Sequence, residues 1–530
     1  MERSFKKEVE KLRLGEGDTF HGEGILAVTK ALLQSGVSYV GGYQGAPISH
    51  LMDVLCDAEP VLDDLGVHFE VCANEAAAAA MLAASINYPI RGAVTWKSVV
   101  GTNVAADGLS NLASAGVKGG ALIVIGEDYG EGSSIIQERT HAFAMKSSMC
   151  LLDPRPELPT IVRMVEEAFR LSEASNMPAM LELRIRACHV FGHFDTSNNT
   201  HPTFSRNKPI QEAEFEFSRV CLPPATYTQE KHKIDQRLPA AIRYIVDNKL
   251  NEHFEGDIPQ IGVIVQGGIY NTLMRAFRQF GIADTYGKTR ISTFVLNVTY
   301  PLVPEEIAEF CVGKTAVLVV EEGQPDFIEQ AINAILRKKD LNTKICGKDV
   351  FPLAGEYTSE VMLRGIQGFI SQHAPPQLDI SETLAFIDTL FSDRDEAKET
   401  LGADFPIRTP SFCTGCPERP VFSAIKILEQ ELGPTHVSAD IGCHTFAALP
   451  PFNVGNTVMG YGLGLASSAG LAPNFDKRVI SIMGDGGFWH NGMSSGVAAA
   501  QANGNDGVLL VIKNGYTAAT GWQLLPSSSR

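Results

Sequence analysis

Between Val479 and Tyr516 the chain spells out one complete strand–helix–strand unit with polar groups at both strand ends. Val479–Met483, apolar but for Ser481, reads as a buried strand. It breaks at Gly484-Asp485-Gly486-Gly487, and a helix is expected from about Asn491 to Asn503. A second apolar strand, Val508–Lys513, then ends at Asn514-Gly515-Tyr516. Two strands joined by one crossover helix lie parallel. If they are neighbours, the strands lie ~4.8 Å apart, and the Asp485 carboxylate and the Asn514 amide share one end of a sheet. Two hard oxygens so placed suit Mg²⁺, which completes its shell with phosphate oxygens. Gly484, Gly486 and Gly487 let the backbone approach a diphosphate, and the helix start favours an anion. A plain strand-to-helix turn would use the same glycines, so the tripeptide alone leaves both readings open.

The same alternation recurs along the 530 residues. Strands are expected at Val37–Gly42, Val67–Cys72, Gly92–Trp96, Ala121–Gly126 and Ala179–Arg184, with helices over 23–35, 104–115 and Glu157–Ala174. A second set of strands is expected at Gln260–Gln266, Arg290–Asn297 and Thr315–Glu321. Strands alternating with helices through short loops give an α/β, multi-domain chain of doubly wound parallel sheets. The units read as 15–200, 235–350 and 405–530, with linkers over 201–234 and 351–404. The first linker is rich in Asn, Thr and Pro, as in Ser197-Asn198-Asn199-Thr200-His201-Pro202. The last unit is still in full α/β pattern at Arg530, so its C-terminus is expected to be incomplete.

A net charge of −17 argues against nucleic acid and anionic membranes as partners. No run of ~18 apolar residues suggests a membrane span. Met1–Glu10 lacks the apolar stretch of a secretory signal, so the expected location is cytoplasmic. Ten cysteines, mostly isolated in apolar runs, fit reduced thiols. One group differs: Cys413-Thr414-Gly415-Cys416, then Cys443 27 residues later in Asp440-Ile441-Gly442-Cys443-His444. Three such thiols suit zinc, an iron–sulfur cluster or a redox pair, or are simply free cysteines in a turn. Asn74 heads an Ala-rich helix with Glu75 in its first turn, which a helix dipole alone would explain.

The segment from Gly484 to Asn514 resembles the diphosphate-binding motif of thiamine-diphosphate enzymes. The resemblance implies Mg²⁺ held by Asp485, Asn514 and the backbone carbonyl of Tyr516. Ser411-Phe412-Cys413-Thr414-Gly415-Cys416-Pro417, Asp440–Thr445, Gly460-Tyr461-Gly462-Leu463-Gly464 and Thr520-Gly521-Trp522-Gln523 extend it. Together they resemble the diphosphate-binding half of the 2-oxoacid:ferredoxin oxidoreductases. This implies that Cys413, Cys416 and Cys443 ligate a [4Fe–4S] cluster whose fourth ligand is not in this chain. It also places Cys443 and His444 near the thiamine.

The first unit is similar to the pyrimidine-binding domain of that family, and the resemblance implies Glu75 as the acid that activates the aminopyrimidine ring. Gly42-Tyr43-Gln44-Gly45-Ala46-Pro47-Ile48-Ser49 matches the family's substrate loop, which implies Gly45, Ala46 and Pro47 as substrate-binding. Gln44 and Ala46 depart from it; the family has Pro and Thr there. Trp96-Lys97-Ser98 resembles a family Met-Lys-His, which makes Lys97 a partner for an anionic group. Ser133-Ser134 and Gln137-Glu138-Arg139 resemble a further loop, with Arg139 as a carboxylate or loop anchor. Phe488-Trp489-His490-Asn491-Gly492 resembles a family Phe-Phe-His-Ser-Gly, which places His490 against the diphosphate or the reacting carbon. The middle unit resembles a transketolase C-terminal-like domain with an assembly role.

The chemistry so implied is oxidative decarboxylation of a 2-oxoacid, an aryl pyruvate such as indolepyruvate, to the acyl-coenzyme A. Electrons pass through iron–sulfur centres to ferredoxin. A smaller beta subunit is implied, and two thiamine-holding domains that must face each other imply a homodimer or heterotetramer. Two other readings are a non-oxidative thiamine decarboxylase or ligase, and a catalytically silent scaffold subunit.

Overall fold

In the computed structural model, which describes residues 3–130, 136–402 and 409–528, the chain forms three sheets of mainly parallel strands. The first has seven strands in the order Val298–Tyr300, Cys150–Leu152, Ala179–Leu183, Ala121–Gly126, Gly92–Lys97, Tyr39–Gly42, His68–Val71. Six run parallel; Val298–Tyr300 runs antiparallel at one edge. Val, Ile and Leu on both faces bury these strands between helices such as Gly24–Gln34 and Leu158–Ser175.

The chain enters this sheet at Tyr39–Gly42, steps outward to His68–Val71, then crosses back to Gly92–Lys97. The winding therefore reverses beside Gly42. Ligands of open parallel sheets bind in the crevice at the carboxyl ends where such a reversal occurs. Glu75 reaches the same crevice because its helix, Glu75–Met81, starts just beyond His68–Val71, with the Asn74 side chain accepting a hydrogen bond from Ala77 N at 3.0 Å.

The middle sheet runs Lys344–Cys346, Ala316–Val320, Ile258–Gln266, Ile291–Leu296, Glu252–Phe254. The sequence placed Tyr300 in this unit, but Val298–Tyr300 adds to the first sheet instead and couples the two. The stretch expected as a second linker also behaves differently. Helices Ser359–His373 and Ser381–Gly402 bury Met362, Ile366, Phe369, Ile387 and Phe391 in the core of the middle sheet. Their polar outer face dominates the composition, which is why the sequence read as linker.

The last sheet orders Thr457–Val458, Val437–Ala439, Ile480–Gly484, Val508–Ile512, all parallel. Here the winding reverses between Val437–Ala439 and Ile480–Gly484, so Asp440 and Asp485 both leave the sheet at its crevice. Among the described residues no helix is long and apolar enough to cross a membrane.

Candidate active site

The crevices of the first and last sheets face each other within one chain. Glu75, 1% exposed, accepts a hydrogen bond from His490 Nε2. His490, 2% exposed, lies in the wide-turned helix Phe488–Ala498 that follows the Gly-Asp-Gly turn. Asn74 Nδ2 donates to the His490 carbonyl at 3.1 Å, so the same helix start grips both its side chain and its backbone. Tyr43 and Tyr461 close on the imidazole with ring centroids 4.9 and 4.8 Å away, and Tyr43 Oη donates to Tyr461 Oη at 3.3 Å. Burial holds both phenols above their ordinary range, so they stay neutral donors. His490 Nδ1 is buried and has no partner among the described residues. A buried polar atom left unpaired is uncommon and costly, and it suits a ligand that completes it.

The two strand ends singled out in the sequence are neighbours. Ile480–Gly484 pairs in parallel with Val508–Ile512, with Gly484 opposite Ile512. Asp485, 4% exposed, accepts from Gly486 N at 3.1 Å through one oxygen and from Gly515 N at 2.7 Å through the other. The exposed Asn514 accepts from Tyr516 N at 3.0 Å. These oxygens share one loop edge, and a Cβ on Gly484 would meet nothing within 4 Å, so the edge is open to a ligand. The other glycines serve packing instead. A Cβ on Gly486 would lie 2.2 Å from Tyr461 Oη, and one on Gly487 would lie 2.0 Å from Asp440 Oδ2.

Asp440, fully buried, accepts from Gly462 N at 2.8 Å and lies 2.6 Å from His444 Nε2. Burial raises the Asp440 carboxyl above its usual range, although His444 opposes this. For His444, burial disfavours the imidazolium, but the Asp440 hydrogen bond and charge outweigh it and the pKa is raised. His444 thus belongs to the support beneath the Gly487 turn.

At the first crevice, Lys97 donates to the Ala46 carbonyl at 2.9 Å and underlies the Gly45-Ala46-Pro47 loop; a Cβ on Gly45 would lie 2.5 Å from Lys97 Cβ. Burial lowers the ammonium pKa to about 8, with the Asp128 charge opposing the shift. Gln44 is not a loosened substrate contact. Its amide donates to Thr517 Oγ1 and, at 3.4 Å, to the Leu524 carbonyl. Gln523 answers by donating to Asp53 at 2.9 Å. Two glutamines therefore latch the last hairpin, Tyr516–Thr517 with Gln523–Leu524, onto the first domain.

Arg139 lies away from this crevice. Its guanidinium pairs with Glu321 at 2.5 Å and donates to the Pro325 carbonyl at 2.5 Å, so the carboxylate it anchors is the chain's own. Ser133 and Ser134 fall outside the described residues. Cys413 is exposed, and Cys416 and Cys443 are half-buried. Burial, then the charges of Glu418, Cys416 and Cys413, push the Cys443 thiol up to about 11. Cys413 and Cys416 both act on Cys443, and among the described residues no three His, Cys, Asp or Glu side chains are gathered to hold a single metal ion.

Sequence reasoning did not assign roles to Tyr43, Asp440 and Tyr461, and gave Asn74 only its capping role. Asp440 carried a signal, an acid after an apolar strand as at Asp485. The tyrosines carried none, because their role exists only once the two domains meet. That meeting takes place within one chain.

Residues 440–530 match the thiamine pyrophosphate enzyme, C-terminal TPP binding domain family. The chain is 27% identical over 525 residues to the indolepyruvate oxidoreductase subunit IorA of Methanothermobacter thermautotrophicus, covering 97% of this chain and 78% of that protein. The subunits of the same name from Thermococcus kodakarensis and Archaeoglobus fulgidus are each 26% identical, covering 95% and 98% of this chain and 76% and 78% of theirs. A solved 2-oxoglutarate:ferredoxin oxidoreductase from Magnetococcus marinus aligns with a TM-score of 0.46 at 13% identity, covering 67% of this chain and 65% of that one.

Proposed function

This chain is a relative of the indolepyruvate oxidoreductase IorA subunits and a thiamine-diphosphate-dependent oxidoreductase, and on that premise we propose that it oxidatively decarboxylates an aryl pyruvate, indolepyruvate first among them, to the acyl-coenzyme A. The observation that carries this reading is the Glu75–His490 contact, which joins an acid from the first crevice to the turn beside Asp485 in the last.

Thiamine diphosphate, when bound, supplies the nucleophilic carbon and the electron sink for loss of CO₂. Asp485, Asn514 and the Tyr516 carbonyl would hold Mg²⁺, an all-oxygen set that suits a hard cation. The open edge at Gly484 and the following helix start receive the diphosphate. Glu75, buried at the crevice, would exchange a proton with the aminopyrimidine nitrogen. His490 sets the Glu75 carboxylate from the opposite domain and offers Nδ1 to the ligand. Tyr43 and Tyr461 wall the site with aromatic faces and exclude water. Lys97 brings a cationic charge under the Gly45–Pro47 loop, where a 2-oxoacid carboxylate would sit. Arg139 binds Glu321 and takes no part.

Oxidation needs an electron acceptor. On the resemblance we assign this to ferredoxin by way of iron–sulfur centres, with coenzyme A taking the acyl group and a smaller beta subunit completing the enzyme. A second reading is non-oxidative decarboxylation on the same site. Anaerobic protein assayed with indolepyruvate, thiamine diphosphate, Mg²⁺, coenzyme A and a viologen dye separates the two. Dye reduction dependent on coenzyme A supports the first, and aldehyde release with oxidised dye supports the second. Neither product, together with no thermal shift on adding thiamine diphosphate and Mg²⁺, overturns both.

A further inference from the structure

An arginine-lined cleft lies apart from this site, between the first and middle sheets. It has a volume of about 1000 Å³, within the range of ligand pockets, and four arginines line it: Arg155, Arg186, Arg275 and Arg278. In a chain of net charge −17 such a gathering of one sign is not what composition would scatter there.

Two of the arginines are fixed as a floor. Arg155 donates to Glu252 at 3.0 Å and lies 5.3 Å from the Tyr270 ring centroid. Arg186 donates to Thr272 Oγ1 at 2.8 Å and pairs with Glu356. Arg275 and Arg278 are different. They stand one turn apart on the exposed face of helix Tyr270–Gln279, and neither has an acidic partner among the described residues. Asp284 is the one acidic residue lining the cleft, and one of its oxygens accepts from Tyr286 N at 2.8 Å and Lys288 N at 3.0 Å. That turn presents the Tyr286 side chain, 95% exposed, at the rim. A large aromatic side chain left in water beside unpaired guanidinium groups has no reason in the packing of the chain itself. It has one if a planar ring stacks on it while the arginines take the phosphates.

We propose that this cleft binds an adenine nucleotide diphosphate group, with Arg275 and Arg278 on the phosphates and Tyr286 against the base. The group is common to free ADP and to the nucleotide end of coenzyme A. Arg186 follows Ala179–Leu183, three places along the first sheet from Tyr39–Gly42. The cleft is therefore separate from the Glu75–His490 crevice, and nucleotide binding does not depend on the thiamine reading.

Fluorescent mant-ADP titrated into the full chain, without thiamine or 2-oxoacid, tests this. Binding is expected to weaken ~10–100-fold in Arg275→Glu/Arg278→Glu and ~3–10-fold in Tyr286→Ala, with the thermal midpoint and the thiamine-induced thermal shift unchanged. Displacement by coenzyme A at lower concentration than by ADP assigns the site to the cosubstrate; the reverse order assigns it to free nucleotide. No binding of mant-ADP or coenzyme A up to about 1 mM, or equal binding by the double variant, overturns the proposal and leaves a solvated arginine face.

Discussion

Glu75 and His490 stand 415 positions apart in the chain and share a hydrogen bond between two buried side chains. Each residue is held independently: Glu75 by a capped helix start, and His490 by Asn74, Tyr43 and Tyr461. Glu75→Gln keeps size and hydrogen bonding but cannot exchange the proton. It is expected to lower turnover ~10²–10⁴-fold while keeping the thiamine-induced thermal shift. Dye-reduction kinetics and thermal shift measured on the same preparation check this, and a fully active variant removes Glu75 from the mechanism.

Asp485 and Asn514 are expected to separate cofactor binding from stability. Asn514 is exposed, so Asn514→Ala is expected to raise the half-saturating thiamine diphosphate concentration ~10–100-fold with little change in the thermal midpoint of the cofactor-free protein. Asp485→Ala also leaves Gly515 N without its acceptor, at a cost of ~1–3 kcal/mol. Titrations at several Mg²⁺ concentrations with parallel unfolding curves distinguish the two effects.

Lys97 gives the pH dependence a sign. Burial lowers its pKa from 10.5 to about 8, against the charge of Asp128. Below about 8 the side chain is an ammonium ion, and above it the charge is lost. Affinity for the 2-oxoacid carboxylate is therefore expected to fall as pH rises through about 8, and Lys97→Met is expected to flatten the profile. Between that value and 10.5 the unfolded chain binds more protons at this residue, so the Lys97 contribution to stability rises with pH across the same window. Profiles of KM against pH for both proteins decide it: an unchanged slope in Lys97→Met rules the lysine out.

Arg139 is expected to matter for stability and not for substrate. Its side chain and that of Glu321 are each 1% exposed. Arg139→Met leaves a buried carboxylate unpaired and is expected to cost ~3–5 kcal/mol. Adding Glu321→Gln removes the buried charge and is expected to recover part of this, but only part, since Ile328 N and Glu329 N donate to different oxygens of Glu321 and the amide offers one. Denaturant unfolding of the single and double variants measures both. A raised KM with unchanged stability would return Arg139 to the substrate.

Local pattern was enough for the strands and for the chemistry written on consecutive residues. Val479–Met483 and Val508–Lys513 announced parallel strands, the first buried and the second a partly exposed edge, with Asp485 and Asn514 at their ends, because side-chain periodicity and chain breaks are properties of neighbours in sequence. The Asn74 cap was legible for the same reason. The helical character of 351–404 was legible too, but the docking of Ser381–Gly402 on the middle core was not, because its two buried side chains, Ile387 and Phe391, are outnumbered by polar ones.

What the sequence by itself determined is the set of sheets and the residues at their carboxyl ends, including the Gly484–Asn514 segment. The tertiary structure alone decided what those ends face. It put Tyr43 and Tyr461 around His490, turned Gln44 and Gln523 into latches, and gave Arg139 to Glu321. Each of these pairings joins segments far apart in the chain. Such contacts depend on how whole domains pack, which the periodicity of a single segment does not encode.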